Sequence, residues 1–345
     1  MIQFYRPTLK RRDMDSVLQT MVNEKIGPGE RTAAFVRAFC ETVGATSGDA
    51  YRTYPDCIRA ALSIAGVTEG TRVAVSPLSP SVYRSVIASL GAEMVMVDVI
   101  RENGCVNEDL LRESGCDVLL LYENAGTLPA RYNDVTTFPE YCDFSPARVI
   151  EDISQSIGSQ VGEEISAGRL GGIVICALEE DSVVSAGGGA VLAVRGEFAS
   201  ALRENRPGPY LTMPDMNAAL GTVQLGNLYE NGEKCRDIHR MYAHGILGTA
   251  NRQFGLSLAD FRSNGAFFAV LLDSRPDETV KFAAKHDVPV RMAFSDCLLK
   301  DFDGDPFENY PVAASYYYRT VEFPLYPFLK RNEIETVAKV VAHLP

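Results

Sequence analysis

Apolar positions recur at helical spacing between short apolar runs over the first two thirds of the chain. The helical spacing predicts helices at 32–44, 56–66, 81–90 and 108–113. Gly44 suits the end of the first helix, and Asp56 suits the N-cap of the second. Continuous apolar runs predict strands at 72–76, 93–98, 117–122, 148–151, 171–178 and 190–194. This alternation predicts an α/β fold with a mostly parallel sheet covered on both faces.

The pattern changes near Met216. One long helix is predicted from Met216 through Tyr242, and it is followed by a strand at 266–272 and helices at 279–286 and 333–343. Such a tail is typical of a small α+β domain packed on the first. We therefore predict a large domain at 1–240 and a small C-terminal domain at 241–345, with the boundary inside the long helix.

The charge of the chain narrows the choice of partners. The 345 residues carry a formal net charge of −12 at pH 7. Nucleic acids and anionic membrane surfaces attract basic faces, so this charge argues against either as a partner of the whole protein. No apolar run approaches the roughly 18 residues of a membrane-spanning helix. No signal peptide is recognised, and we expect a cytoplasmic protein.

The cysteines are scattered and form no CxxC pair. Zinc sites need clustered ligands, so no metal site is predicted. Their spread is typical of buried or free thiols in a reducing compartment. The eight are Cys40, Cys57, Cys105, Cys116, Cys142, Cys176, Cys235 and Cys297.

Four segments carry a family resemblance that spacing alone does not supply. In chain order they are 149–158 (VIEDISQSIG), 215–225 (DMNAALGTVQL), 310–314 (YPVAA) and 323–327 (FPLYP). Together they resemble the DegT/StrS-type sugar aminotransferases, pyridoxal phosphate (PLP) enzymes of aminotransferase fold type I that act on nucleotide-linked keto-sugars. The resemblance covers essentially the whole chain. It implies a PLP-dependent transferase-like fold, with a large, mostly parallel-sheet domain and a small C-terminal α+β domain.

The resemblance also implies roles for single residues. Asp152 matches the carboxylate that pairs with the protonated pyridine nitrogen and makes the ring an electron sink. Gln155 matches a residue beside the ring. On position alone, Asp98 and Asp152 are both acids at strand ends, where functional carboxylates and helix-capping carboxylates both collect.

The departures from the family pattern fall where the chemistry should be. Counted back from the glycines at 188–189, the lysine that anchors the cofactor falls at Asp181. No lysine occurs anywhere between Lys25 and Lys234. A carboxylate cannot form an imine, so Asp181 marks the altered catalytic position.

The phosphate end of the implied site is altered too. The family's Ser-Gly-Thr aligns with Thr53, Tyr54 and Pro55, where tyrosine fills the space of glycine and proline removes an N–H donor. The stacking aromatic residue aligns with Pro80, and a serine near the lysine aligns with Cys176. We expect no covalently bound cofactor, and these changes argue against PLP binding at all. The predicted cofactor-contact positions are Asp152, Gln155, Thr53, Tyr54 and Cys176.

Three hypotheses about function follow. The first is a family homologue without transaminase activity that binds a sugar or nucleotide-sugar between the domains, in cell-surface polysaccharide or amino-sugar metabolism. The second is an enzyme that uses PLP or pyridoxamine phosphate without a covalent link, or that performs other acid–base chemistry. The third is a structural or regulatory partner, since family members place the active site at a two-fold interface, which implies a homodimer or pairing with an active paralogue. The acid–base candidates are Asp152, Asp181, Glu179 and Glu180, although a solvated turn is the simpler and preferred interpretation of 179–181.

Overall fold

The computed structural model describes residues 2–129, 144–145, 148–162, 165–255 and 261–345. Cys142 therefore lies outside the described residues. The strands in these ranges are β1 Ser47–Tyr51, β2 Arg72–Val75, β3 Glu93–Met96, β4 Val118–Tyr122, β5 Val149–Asp152, β6 Gln160–Val161, β7 Ile165–Ser166, β8 Ile173–Ala177, β9 Ala190–Val194, β10 Arg252–Gln253, β11 Phe261–Arg262, β12 Phe268–Leu271, β13 Arg291–Met292 and β14 Thr320–Phe323.

The helices surround two of the sheets that these strands form. Among the described residues, no helix combines the length and the apolar character needed to cross a membrane. The helices are α1 Arg11–Val22, α2 Glu30–Val43, α3 Tyr54–Ile64, α4 Val82–Ser89, α5 Glu108–Glu113, α6 Ala199–Glu204, α7 Asp215–Gly226, α8 Leu228–Ile246, α9 Pro276–Lys285, α10 Pro306–Asn309, α11 Pro311–Arg319 and α12 Arg331–Ala342.

The largest sheet has the strand order β1-β9-β8-β5-β4-β2-β3. Its central pairs are parallel, and β9 runs antiparallel to both β8 and β1. Successive side chains of a strand point to opposite faces, so Leu119 and Leu120 of β4 enter different apolar cores. Phe39 of α2 lies in the first core and Leu62 of α3 in the second. The predicted mostly parallel, doubly covered sheet is confirmed.

A second, antiparallel sheet has the strand order β10-β12-β14-β13. Its core joins Phe268 of β12 and Phe323 of β14 to Tyr242 of α8 and Val337 of α12. Cys235 of α8 already belongs to this core. The division of the chain into domains at residue 240 stays a prediction.

Two local predictions were wrong for reasons of capping and propensity. Thr53, not Asp56, is the N-cap of the second predicted helix: its Oγ1 accepts the Asp56 backbone N–H at 3.2 Å. Pro55 fits the first turn of α3, because a backbone N–H at that position would have no partner within the helix. The long helix predicted from Met216 to Tyr242 is two helices, α7 and α8, which meet at Asn227. Gly226 and Asn227 are both poor helix formers.

The fold places polar side chains at the carboxyl edge of the main sheet, where ligands of α/β proteins bind. Asp152 ends β5 and Tyr122 ends the neighbouring β4. Tyr54 begins α3, and Tyr83 lies in the first turn of α4. These four residues meet from four separate elements and define the candidate site.

His239 of α8 is a largely buried titratable group that packs against the second sheet. Its ring lies edge-on to Phe268, with 5.2 Å between ring centroids, and its Nε2 is 2.6 Å from Nε2 of Gln253. Burial lowers the pKa of His239 to about 4. Nε2 therefore accepts the amide hydrogen of Gln253 as an unprotonated nitrogen.

We predict that acid destabilises the protein through His239. The unfolded chain protonates this ring near the ordinary pKa of about 6.5, whereas the native state keeps it neutral, so its contribution to stability is lost as pH falls from there toward 4. One pKa unit corresponds to about 1.4 kcal/mol. The free energy of unfolding of the parent protein should therefore fall by on the order of 2–3 kcal/mol more than that of His239→Gln over this pH range. Urea unfolding of both proteins at pH values between about 7 and 4 measures the difference. The exposed His286, changed to Gln, is the control, and an unchanged pH dependence in His239→Gln would contradict the assignment.

Candidate functional site

The carboxylate of Asp152 is the centre of the site. Asp152 has 0% exposed surface. Its Oδ2 accepts the hydroxyl of Tyr83 at 2.6 Å and also the hydroxyl of Tyr54. Its Oδ1 accepts the backbone N–H of Ser154 at 3.0 Å and the Ser154 hydroxyl. Both carboxylate oxygens are therefore satisfied by donors of the protein itself.

The two tyrosines are held in place by packing. Tyr83 has 0% exposed surface and its ring lies edge-on to Tyr122, with 6.2 Å between centroids. Tyr54 stands at the first position of α3, and its hydroxyl is 3.4 Å from that of Tyr83. The Ser154 hydroxyl also accepts the Ala177 backbone N–H at 2.8 Å. The network thus ties α3 and α4 to β5 and the end of β8.

Electrostatics keep the two phenols of this network protonated. Burial raises the pKa of Asp152, while the hydrogen bonds from Ser154, Tyr54 and Tyr83 act in the opposite direction. Burial, with the nearby Asp152 charge, raises the pKa of both Tyr54 and Tyr83 well above its usual value. The phenols therefore stay protonated near neutral pH and serve as donors, not as bases.

The other predicted cofactor-contact residues have structural partners. Thr53 caps α3, with its hydroxyl 2.5 Å from Asp56 Oδ2. Gln155 Oε1 accepts the Ala125 backbone N–H at 2.7 Å, at a turn where Ala125 has a φ of 49°. Cys176 has 0% exposed surface, and burial raises its pKa well above the usual value. A buried neutral thiol of this kind is not a nucleophile.

The acidic stretch at 179–181 lies on the surface. The side chain of Asp181 is 57% exposed, and its Oδ2 is 3.7 Å from Nη1 of Arg291. Arg291 also donates from Nε to Glu322 Oε2 at 3.0 Å, and its guanidinium lies 4.1 Å from the ring centroid of Phe4. The position expected for the lysine therefore faces an arginine and not Asp152. The described residues contain no cluster of three His, Cys, Asp or Glu side chains suited to a metal ion.

Sequence reasoning missed Tyr83, Ser154 and Arg291. Tyr83 carried one usable signal, since it is an aromatic residue close in sequence to Pro80, the position where the family's stacking aromatic residue aligns. Asp98, by contrast, has a structural role: its carboxylate accepts the backbone N–H groups of Val312 and Ala313 at the start of α11, at 3.1 and 2.9 Å. It is a helix-capping aspartate, the second of the two alternatives that its position allowed.

Comparison with known proteins assigns the family. The sequence profile of the DegT/DnrJ/EryC1/StrS aminotransferase family matches residues 7–342. The chain belongs to this family. Its fold is accordingly the PLP-dependent transferase-like fold that the sequence predicts.

Individual relatives are distant but align over nearly their full lengths. The chain is 24% identical to the dTDP-4-dehydro-2,3,6-trideoxy-D-glucose 4-aminotransferase of Saccharopolyspora spinosa, covering 99% of this chain and 97% of the relative. It is 21% identical to the spore coat polysaccharide biosynthesis protein SpsC of Bacillus subtilis, covering 97% and 95%.

Solved structures share the fold. The aminotransferase TlmJ of Streptoalloteichus hindustanus superposes with a TM-score of 0.84 at 21% identity, covering 99% of this chain and 98% of TlmJ. PseC of Helicobacter pylori, an aminotransferase involved in the biosynthesis of pseudoaminic acid, gives 0.84 at 14% identity, covering 98% and 97%.

The residues at the site do not fit PLP, the cofactor of the family. A pyridine nitrogen beside Asp152 would need the carboxylate oxygen that already accepts two tyrosine hydroxyls. Asp181 offers no amine for an imine. At the phosphate end, Pro55 removes one N–H from the start of α3.

We predict that the tyrosine–aspartate network contributes to stability and not to catalysis. Tyr83→Phe should lower the free energy of unfolding by about 1.5–3 kcal/mol, the usual value of a hydrogen bond to a charged group. Tyr122→Phe is the matched control, because the Tyr122 hydroxyl has no hydrogen bond to any residue that the structure describes. Chemical unfolding near neutral pH measures both, and equal effects of the two variants would contradict the network.

The same network predicts a pH-dependent effect of Asp152→Asn. Because the native pKa of Asp152 is raised, its contribution to stability is greatest below the unfolded value and is lost as pH rises through the native pKa. An amide does not ionise, so the Asn variant should gain stability over the parent protein as pH rises from about 4 to 8. A gain that stays constant over this range would refute the raised pKa.

Proposed function

We propose that this protein is a non-transaminating member of the DegT/StrS family that binds a nucleotide-linked sugar without PLP. The observation that carries the proposal is the occupation of Asp152 Oδ2 by the hydroxyls of Tyr54 and Tyr83. These two hydroxyls occupy the carboxylate oxygen that would pair with the pyridine nitrogen of PLP. The acid at position 181 independently removes the aldehyde anchor.

The relatives support the sugar part of the proposal. One is named as an aminotransferase of a dTDP-linked keto-sugar and another as a spore coat polysaccharide biosynthesis protein. We place this protein in amino-sugar or cell-surface polysaccharide metabolism, in a cytoplasmic compartment.

The cleft beside Asp181 has the groups that bind sugar hydroxyls. A cavity of about 70 Å³ there is lined by Asp181, Asn231, Arg291 and Glu322, with the ring of Tyr5 beside them. Asn231 Oδ1 is buried and has no hydrogen-bond partner in the described part of the chain. The volume is about that of two water molecules, so it suits one hydroxyl-bearing corner of a sugar and not a whole nucleotide.

An acid–base enzyme is the second candidate. Its strongest residue is Asp181, because Asp152 has no exposed surface with which to contact a substrate. Turnover of a keto-sugar nucleotide that is lost in Asp181→Asn and kept in Glu179→Gln would favour this candidate over a binding protein.

We predict that PLP forms no adduct with the protein. Titration with PLP should produce no visible imine band, and borohydride reduction should leave no trapped cofactor mass on the chain. A family member that keeps the lysine serves as the positive control. A stable band at stoichiometric cofactor in the parent protein would overturn the proposal.

We also propose that the protein is a homodimer. Four side chains on one stripe of α1, each more than half exposed, are Met14, Leu18, Met21 and Val22. The opposite side of α1 packs against α7, where Gln224 donates a hydrogen bond to Asp13 at 2.6 Å. An exposed apolar stripe of this kind is typical of a surface that a partner covers.

The dimer is tested with charges placed on the stripe. Sedimentation or light scattering of the parent protein should give twice the chain mass, and Met14→Glu/Leu18→Glu should give the chain mass, because carboxylates are costly to bury. Gln19→Glu adds a carboxylate to a polar position of the same helix and is the control. A parent protein that is monomeric at high concentration would contradict the proposed homodimer.

A further inference from the structure

A second cavity lies on the side of the small sheet where the loop after β3 reaches it. Its volume is about 440 Å³, in the range of small-molecule sites. One face of α11 forms a wall through Val312, Ser315 and Tyr316, and the end of β12 forms the floor. Neither Asp152 nor Asp181 takes part in it, so this cavity is separate from the cleft described above.

Three arginines from three different elements line this cavity, which we call the arginine cavity: Arg101 of the loop after β3, Arg252 of β10 and Arg319 at the end of α11. Tyr316, one turn before Arg319, donates its hydroxyl to the Arg101 carbonyl at 2.5 Å. Arg252 pairs with Leu271 in the β10–β12 ladder. These contacts bring the three residues to one space although they are far apart in sequence.

The guanidinium of Arg319 is held in position. Its Nε and Nη2 both donate to the Leu272 carbonyl, at 2.9 and 2.5 Å. Its side chain is 39% exposed, so the group is fixed at the wall and still reaches the open space. A fixed planar donor group loses little entropy when it binds an oxyanion.

The positive charge of the cavity is not balanced locally. Asp273 is 3.7 Å from Arg319 and offsets that charge in part. Arg101 and Arg252 form no ion pair with any residue in the described ranges, and Glu102 is the other acid in the lining. The chain as a whole carries a net charge of −12. Two arginines without ion-pair partners in one concave site therefore make the electrostatic potential locally more positive than over the protein as a whole.

We propose that the arginine cavity binds a phosphate-bearing small molecule. Arg101 and Arg252 bind its oxygens through their forked N–H groups, and Arg319 contributes a third, pre-positioned donor group. Arginine is suited to this task because its planar fork matches phosphate oxygens in pairs. Arg101 belongs to a loop of the main sheet, Arg252 to β10 of the small sheet and Arg319 to α11, so the ligand contacts elements from both parts of the fold. The proposal goes beyond the sugar cleft and does not depend on it.

The test uses calorimetric titration of the full-length protein with two probes, inorganic pyrophosphate and glucose 1-phosphate. Both should bind the parent protein, and affinity should fall about tenfold or more for each guanidinium removed in Arg101→Ala and Arg252→Ala, because charged hydrogen bonds are lost. Stronger binding of glucose 1-phosphate would identify a sugar phosphate, and equal or stronger binding of pyrophosphate would identify the phosphate group as the whole determinant. Both outcomes support the site.

Three controls make the result decisive. Arg331→Ala removes the same charge from a side chain that is 93% exposed on α12, outside the cavity, and should leave affinity unchanged. Arg252→Lys keeps the charge but not the fork, so it should weaken binding less than Arg252→Ala. The thermal midpoint of each variant confirms that it folds. No binding of either probe to the parent protein, or equal binding in Arg101→Ala/Arg252→Ala and Arg331→Ala, overturns the proposal. Neither result bears on the PLP titration, which reports on the other site.

Discussion

The need to satisfy one buried carboxylate organises this protein. A charged Asp152 without donors costs several kcal/mol at a position with no exposed surface. In relatives that use PLP, the resemblance implies that the protonated pyridine ring meets this need. Here Tyr54, Tyr83 and Ser154 meet it instead. These donors satisfy the carboxylate without a cofactor, so the acid and the tyrosines form one unit.

A second compensation operates across the cleft. Asp181 adds negative charge close to the buried Glu322. Burial raises the pKa of Glu322 and Asp181 acts in the same direction, while Arg291 acts against both. Arg291 lies between the two acids, 3.0 Å from Glu322 and 3.7 Å from Asp181. The ion pair between Arg291 and Asp181 is exposed and therefore weak. It offsets part of the repulsion between the two acids and adds little to the stability of the fold.

The sequence predicted the parts of the fold that are buried on both faces, because continuous apolar runs mark them. The strand expected at 117–122 is β4, Val118–Tyr122. β1 was missed, since Ser47–Tyr51 has no apolar run and is specified by antiparallel pairing with β9. In the site, Asp152, Tyr54 and Asp181 came from the family resemblance. Tyr83 and Arg291 did not, because the first reaches Asp152 from 69 residues away and the second depends on how the small sheet packs.

The arrangement of the two sheets does not require a cofactor between them. Asp98, at the end of the main sheet, caps α11 beside the small sheet through the Val312 and Ala313 N–H groups. Arg84 of α4 donates to the Leu298 carbonyl at 2.9 Å, which adds a second direct link. Hydrogen bonds to charged groups of this kind are worth more than ordinary ones. Contacts within the protein itself therefore join the main sheet to the elements around the small sheet.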